Sequence, residues 1–268
     1  MSIIKAIILG IVQGLCEFLP VSSSGHLTIL QKAFNISENG SLFIIMVHLG
    51  TLIAVFIVYW KQILAILKKP FQKKTYLLLV STLATVILYF LLGDMFDSLE
   101  GNGIAIGCSF LFTAIILLLT DFVVPKIKFK NKKDGSIEST SYLSAAGIGL
   151  IQGIAILPGV SRSGSTIAGS RFFGLNKESA AEYSFLLSIP AILGGLVTEI
   201  PDLAKTGVSS VDWLPILIGT VAAAISGYFA ITFMLQLITK RKLWGFSIYV
   251  GILGLFLILD TTFFGIIF

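Results

Sequence analysis

Long apolar runs separated by short polar gaps dominate the chain, and several are long enough for an α-helix to cross a bilayer. They cover 42–60, 76–92 and 104–120, and further runs begin near Tyr183, Trp213 and Trp244. The pattern predicts an all-α polytopic membrane protein that forms a single membrane domain over residues 1–268.

The composition agrees with this class of protein. Hydrophobic residues make up 56% and charged residues 12% of the 268 residues, which is outside the range of soluble domains. The net charge of +5 could indicate nucleic-acid binding, but the lysines lie in short gaps between apolar runs, and we therefore exclude that partner. Cys16 and Cys108 each lie in an apolar run and predict neither a disulfide framework nor a zinc site.

A sequence repeat divides the chain into two halves. GIVQGLCEFLPVSSSGH, from Gly10, aligns without a gap with GLIQGIAILPGVSRSGS, from Gly149. The first twenty residues also resemble a secretory signal peptide, but a cleavable leader would have no reason to recur inside the chain. We predict repeat one at 1–125, a cytoplasmic linker at 126–141 and repeat two at 142–268.

The charges of the loops predict opposite orientations for the two halves. Lysine-rich gaps at 61–75, 125–142 and 240–242 favour the cytoplasmic face, whereas the gaps between them are acidic. Each half then contributes three transmembrane helices, and the copies run in opposite directions. In the second half the repeated motif does not fit a full crossing, because the acidic gap that follows would then lie inside. In the first half a full crossing by residues 3–20 would also fit the loop charges, and the repeat is what favours a hairpin there. We therefore predict a re-entrant helical hairpin in each half of an inverted repeat.

The tips of the two hairpins are unusually polar for membrane depth. Irregular backbone is tolerated there where it is buried in protein or lines a wet cavity, so we expect the two tips to face each other. Three of the differences between the copies change the chemistry of the tips, which indicates one composite site with complementary halves. Glu17 aligns with Ile156, Ser23 with Arg162, and His26 with Ser165.

Arg162 indicates an anionic ligand. A guanidinium inside a membrane segment is costly without an anionic partner, and its donors match phosphate oxygens. A structural ion pair with Glu17 is the alternative. Further groups that could bind phosphate follow in the same tip, and they are the hydroxyls and helix-terminal amides of Ser161, Ser163, Gly164 and Thr166.

The first tip offers acid–base groups. His26 could donate a proton, accept one or act as a nucleophile, because imidazole titrates near neutral pH. Glu17 and Gln13 share a helix face, where they could position a water molecule, orient His26 or hold a divalent cation. The alternative is a purely structural role for Glu17, with its carboxylate hydrogen-bonded to the neighbouring turn.

Hydroxyl groups complete the first tip. Ser22, Ser23 and Ser24 are candidates for substrate binding or nucleophilic attack, and capping of the returning helix is their structural alternative. We do not assign His48, in the first full span, or Arg171, after the second tip, to the site.

Both tips resemble the signatures of a known family. QGLCEFLPVSSSGH resembles the first signature of bacterial undecaprenyl-diphosphatases, PGVSRSGST at 158–166 resembles the second, and EYSFLLSIP at 182–190 is also similar. The likeness extends across nearly the whole chain. It implies hydrolysis of undecaprenyl diphosphate to undecaprenyl phosphate and inorganic phosphate, which recycles the lipid carrier of cell-wall synthesis and affects bacitracin sensitivity.

The resemblance also implies a location and a set of site residues. The location is the bacterial cytoplasmic membrane, with a site that opens to the outer face and requires a divalent cation, magnesium or calcium, at Glu17. Some relatives have glutamate where this chain has Gln13, so a two-carboxylate metal site is incomplete here. Carried over by motif, the catalytic residues are Glu17, Ser23, His26 and Arg162, and the substrate-binding residues are Gln13, Ser22, Ser161, Ser163, Gly164 and Thr166.

Two classes of function follow from these observations. In an enzyme, Arg162 and the hairpin amides would hold the diphosphate of a polyprenyl lipid, and Ser23, His26 or water would attack. An inverted-repeat transporter or flippase for an anionic, phosphorylated lipid is the alternative. The cluster of Glu17, Ser23 and His26 favours the enzyme, because moving an anion requires no acid, base or nucleophile. The oligomeric state stays open, including a homodimer.

Overall fold

A computed structural model describes residues 1–36, 41–127, 134–206 and 212–268. The described residues form α-helices and no strand, which confirms the all-α prediction. Part of the predicted linker at 126–141, residues 128–133, lies outside the described residues. The helices are α1 (Ile3–Phe18), α2 (Ser23–Ala33), α3 (Ser41–Val58), α4 (Trp60–Lys68), α5 (Lys73–Asp97), α6 (Gly103–Phe122), α7 (Tyr142–Ile154), α8 (Arg162–Phe172), α9 (Lys177–Thr206), α10 (Trp213–Lys240) and α11 (Trp244–Leu259).

Several helices have the length and composition of membrane spans. In the part of the chain that the structure describes, five qualify, namely α5, α6, α9, α10 and α11. The pair α3 and α4 is a sixth candidate, bent by 78° at the break between them. Large apolar side chains such as Phe90 are exposed on these helices, as contact with lipid requires. The protein is therefore a multi-pass membrane protein.

Two helical hairpins precede these spans in the two halves. α1 has 16 residues and α7 has 13, both below the roughly 20 residues that a spanning helix needs. Each is followed by a tight turn and an 11-residue helix, α2 or α8. Ser22 and Ser161, which are equivalent in the repeat, begin the second helices by accepting hydrogen bonds from the amides of Gly25 and Gly164. Re-entry of each hairpin into the membrane stays a prediction.

The helices of the two halves pack against each other reciprocally. α1 packs along α10, and α7, the copy of α1, packs along α5, the copy of α10. Glycines permit these close contacts, since a Cβ at Gly10 would collide with the carbonyl oxygen of Gly219, and a Cβ at Gly149 with that of Ser81. The first helix of each half thus packs against a helix of the other half, as expected of a duplicated chain. The repeat boundaries and the inverted orientation stay predictions.

An apolar cluster fixes the carboxyl end of α1 near the centre of the bundle. Phe18, the last residue of α1, is fully buried and packs edge-on against Phe185 of α9, with ring centroids 5.7 Å apart. Leu117 of α6 and Ile167 of α8 belong to the same cluster. This packing places Glu17, the neighbour of Phe18, inside the protein.

Candidate functional site

The tips of the two hairpins meet, as the sequence predicts. The amide of Gly159 donates to Ser24 Oγ at 3.3 Å, and Ser163 Oγ donates to the carbonyl oxygen of Leu19 at 3.0 Å. The backbones approach closely, because a Cβ at Gly25 would lie 3.2 Å from the Cα of Gly159. Polar groups from residues far apart in the chain therefore share one site.

Glu17 lies at the centre of this site and is only 7% exposed. One carboxylate oxygen, Oε1, accepts a hydrogen bond from Arg162 Nη2 of the second tip. The other, Oε2, accepts hydrogen bonds from Ser23 Oγ at 2.6 Å and Gln13 Nε2 at 3.0 Å. The carboxylate therefore links the two hairpins and touches a candidate nucleophile.

Arg162 keeps a donor that has no partner. Its side chain is 15% exposed, and Nη2 is paired with Glu17. Nη1 is buried and makes no hydrogen bond with the described residues. An unsatisfied buried donor costs about 1–3 kcal/mol, more for a charged group, and an anionic ligand would remove this cost. The structural ion pair therefore exists, but it uses only part of the guanidinium.

Ser22 and Ser23 form the entry to α2. Ser22 has φ of 72°, a conformation that costs a residue other than glycine about 1–3 kcal/mol and that is concentrated at functional sites. Ser22 is buried, whereas Ser23 is half-buried and Ser24 is exposed. Ser23 is thus accessible from outside while its hydroxyl is bonded to Glu17, which is the arrangement of an activated nucleophile.

His26 is held by a different set of partners from those expected. Nδ1 donates to the carbonyl oxygen of Ser22 at 2.7 Å, so Nε2 of the neutral ring accepts from the hydroxyl of Tyr249 at 2.7 Å. The His26 ring also stacks on Tyr249 and meets the ring of Phe110 edge-on. The expectation that Glu17 orients His26 is therefore wrong. Tyr249 had no signal in the sequence, because it is one aromatic residue in an apolar run.

His48 belongs to the site, and its exclusion in the sequence analysis is wrong. Nδ1 contacts the carbonyl oxygen of Ile44 at 2.8 Å, which leaves Nε2 pointing at Glu17 Oε2 across 3.8 Å. Packing of α3 against α1 brings this histidine beside the carboxylate. Its polar side chain in an otherwise apolar span was the available signal.

The remaining groups of the second tip stabilise its shape. Ser161 caps α8, and Gly164, whose amide donates to Ser161 Oγ, packs against Pro20. Thr166 Oγ1 lies 2.5 Å from Ser184 Oγ of α9. The structure thus gives these groups, and Ser163, partners within the protein, and their binding of substrate stays a prediction.

The first tip offers some of the oxygen ligands that a divalent cation needs. Among the described residues, no group of three or more His, Cys, Asp or Glu side chains could hold a metal ion. Gln13 Oε1 is buried without a described partner, next to the Glu17 carboxylate. Mg²⁺ commonly binds through one or two protein oxygens together with substrate phosphates and water. Glu17 and Gln13 suit that mode of binding.

The fold and the site define a class, a multi-pass helical membrane protein with an acid, a hydroxyl and a guanidinium enclosed between two hairpins. The family model described as bacitracin resistance protein BacA matches residues 6–256. The chain belongs to the BacA family, in agreement with the resemblance of its two tips.

Curated relatives match the chain over nearly its full length. A protein of Carboxydothermus hydrogenoformans named undecaprenyl-diphosphatase is 45% identical over 258 residues, 95% of each chain. One of Halothermothrix orenii with the same name is 41% identical and covers 97% of this chain and 98% of its own. Undecaprenyl-diphosphatase 4 of Bacillus thuringiensis subsp. konkukian is 40% identical and covers 96% and 97%.

Proposed function

We propose that the protein hydrolyses undecaprenyl diphosphate to undecaprenyl phosphate and inorganic phosphate, and thereby recycles the lipid carrier of cell-wall synthesis. Relatives of 40–45% identity carry the name of this activity. The observation that carries the proposal is the buried, unpartnered Nη1 of Arg162 beside the hydrogen-bonded pair of Ser23 and Glu17.

Arg162 binds the diphosphate in this proposal. Nη1 donates to a phosphate oxygen, while the pairing of Nη2 with Glu17 keeps the guanidinium in place. Phosphoryl transfer places charge on the oxygens of the transferred group, and a fixed guanidinium stabilises that charge. Enclosure between the two tips strengthens the interaction, because little water competes for the donor.

Ser23 is the nucleophile that the geometry favours. Its Oγ attacks the terminal phosphorus, the bond to the bridging oxygen breaks, and undecaprenyl phosphate leaves. Glu17 Oε2, which already accepts the Ser23 hydrogen bond, takes the proton. Water then hydrolyses the phosphoserine and releases inorganic phosphate. His26 suits attack less well, because both ring nitrogens have partners.

A divalent cation, magnesium or calcium, is part of the proposal. Glu17 and the free Oε1 of Gln13 would hold it, and it would neutralise charge on the diphosphate. Because Gln13 is uncharged, Glu17 supplies the single carboxylate.

The site opens, in this proposal, to the outer face of the bacterial cytoplasmic membrane. The lysine-rich gaps at 61–75, 125–142 and 240–242 support this orientation of the chain. The isoprenoid tail of the substrate stays among lipid chains against the exposed apolar helices, because a tail of this kind gains nothing by leaving hydrocarbon.

Release of inorganic phosphate from undecaprenyl diphosphate by the purified full chain in detergent tests the proposal. We expect release by the wild-type protein and its loss in Arg162→Ala. Absence of release by well-folded wild-type protein, or full activity of the variant, would contradict the proposed function. Movement of a phosphorylated lipid across vesicles without phosphate release would favour a transporter instead.

A further inference from the structure

A cavity lies at the opposite end of α8 from the candidate active site. Arg171, near the end of α8, lines this cavity, and nine residues of helix separate it from Arg162, or about 13 Å along the axis. The cavity has a volume of about 80 Å³. Its lining includes Arg171, Lys177, Arg241 and Lys242.

Four cationic side chains line this cavity, and none forms an ion pair within 4 Å with a carboxylate of the described residues. Arg171 Nη1 donates to the carbonyl oxygen of its neighbour Leu175. Lys177 Nζ donates to the carbonyl oxygen of Arg241 at 3.0 Å, and Lys242 lies over the ring of Phe122. These contacts leave donors of all four side chains for a ligand.

One acid, Asp121, also lines the cavity. It is buried at the end of α6 beside the backbone amides of Leu243 and Trp244, and its Oδ2 makes no hydrogen bond with the described residues. Its charge acts on Arg171, Lys177 and Lys242 without forming an ion pair within 4 Å with any of them. With a single acid against four cations, the walls carry an excess of positive charge.

The cavity lies where lipid headgroups are expected. The gaps at 125–142 and 240–242, which border it, are the ones whose lysines predict the cytoplasmic face. Phe122 and Val123 are exposed apolar residues beside its rim. Basic pockets between transmembrane helices on this face suit the phosphate groups of anionic lipids.

We propose that this cavity binds a phosphate group at the cytoplasmic face, separately from the candidate active site. Guanidinium and ammonium donors match phosphate oxygens, and the single acid, Asp121, cannot neutralise all four cations of the cavity. The headgroup of an anionic phospholipid and free inorganic phosphate share this chemistry. The apolar rim and the neighbouring bilayer favour the lipid headgroup.

Binding of phosphatidylglycerol and of inorganic phosphate distinguishes the two sources. The full chain in detergent is titrated with phosphatidylglycerol in a phosphate-free buffer, and retained lipid is counted by native mass spectrometry. A second titration adds inorganic phosphate in neutral phosphatidylcholine and follows the thermal unfolding temperature.

The test variant is Arg241→Gln with Lys242→Gln. Both side chains are exposed, so we expect the fold to stay intact, which the thermal unfolding temperature checks. The control is Lys68→Gln with Lys69→Gln, which removes the same charge from exposed positions away from the cavity. Because the candidate active site is unchanged in both, a difference between them reports on the cavity.

We expect the test variant to bind phosphatidylglycerol roughly tenfold or more weakly than the control. A loss confined to inorganic phosphate would identify the free anion as the ligand. Equal binding of both ligands to the two variants, or no binding of either ligand to the wild-type protein, would overturn the proposal.

Discussion

Ser23 Oγ lies 2.6 Å from Glu17 Oε2, although Ser23 belongs to the helix that returns from the first tip and Glu17 to the helix that enters it. The other oxygen of the same carboxylate is paired with Arg162 of the second tip. A single carboxylate thus positions both the hydroxyl proposed to attack and the guanidinium proposed to bind the diphosphate.

Ser23→Ala should lower phosphate release by a hundredfold or more, because it removes the hydroxyl that Glu17 activates (general-base effects are typically 10²–10⁴-fold). Turnover of undecaprenyl diphosphate at saturating substrate measures this loss. Thr28→Ala is the control, since Thr28 lies on the same helix and its hydroxyl bonds to the carbonyl oxygen of Ser24. A phosphorylated protein trapped from wild type but absent from Ser23→Ala would identify the nucleophile, whereas near-wild-type turnover of Ser23→Ala would exclude it.

Glu17→Gln should reduce both stability and activity, because it leaves the Arg162 guanidinium buried without its counter-charge. Breaking a buried ion pair from one side typically costs about 3–5 kcal/mol. The double variant Glu17→Gln with Arg162→Gln removes both charges, so we expect it to unfold at a higher temperature than Glu17→Gln while staying inactive. Activity in the double variant would show that the pair is structural alone.

His48→Leu should lower turnover roughly tenfold to a hundredfold, since loss of the imidazole beside Glu17 Oε2 lets the carboxylate shift. His48→Gln is the matched variant, because its polar amide can fill the place of the imidazole and donate to the carboxylate, and it should retain more activity than His48→Leu. The comparison is made on kcat with the thermal unfolding temperature measured in parallel. Equal activity of the two variants would show that a polar group at position 48 does not contribute to catalysis.

Gly159→Ala should destabilise the protein by about 1–3 kcal/mol and abolish turnover. Gly159 has φ of 89°, and a Cβ there would lie 2.9 Å from the carbonyl oxygen of Ile106, so the second tip would be displaced from α6 and lose its alignment with the first tip. Gly194→Ala is the control, because a Cβ at Gly194 meets nothing within 4 Å. Thermal unfolding and phosphate release measure both effects, and equal behaviour of the two variants would contradict the tight packing of the second tip against α6.

Removal of divalent cations by a chelator should stop phosphate release, and magnesium or calcium should restore it. Gln13→Ala should raise the cation concentration needed for half-maximal activity, because Gln13 Oε1 is proposed to bind the cation. Gln13→Glu, which adds a carboxylate, should lower that concentration. Full activity in the presence of the chelator would remove the cation from the mechanism.

Much of this protein follows from its sequence. The apolar runs are as long as a helix that crosses a bilayer. Their lengths and positions therefore predict a membrane protein and the locations of α5, α6, α10 and α11. The two motif segments are also local. The second does not fit a full crossing, and the repeat extends the prediction of a hairpin to the first. Arg162 and Glu17 are also recognisable from the sequence, because a charged residue is costly among apolar residues in a membrane.

The partners of the polar groups are decided by tertiary structure. Packing of α3 against α1 brings His48 to Glu17, and packing in the bundle brings Tyr249 to His26. Neither contact leaves a trace in hydropathy, because one polar or aromatic residue changes the average of an apolar run very little. Contacts between helices depend on which faces meet, and the small residues along α1 and α10 set those faces. The sequence therefore identifies the groups that carry the chemistry, whereas helix packing determines which of them act together.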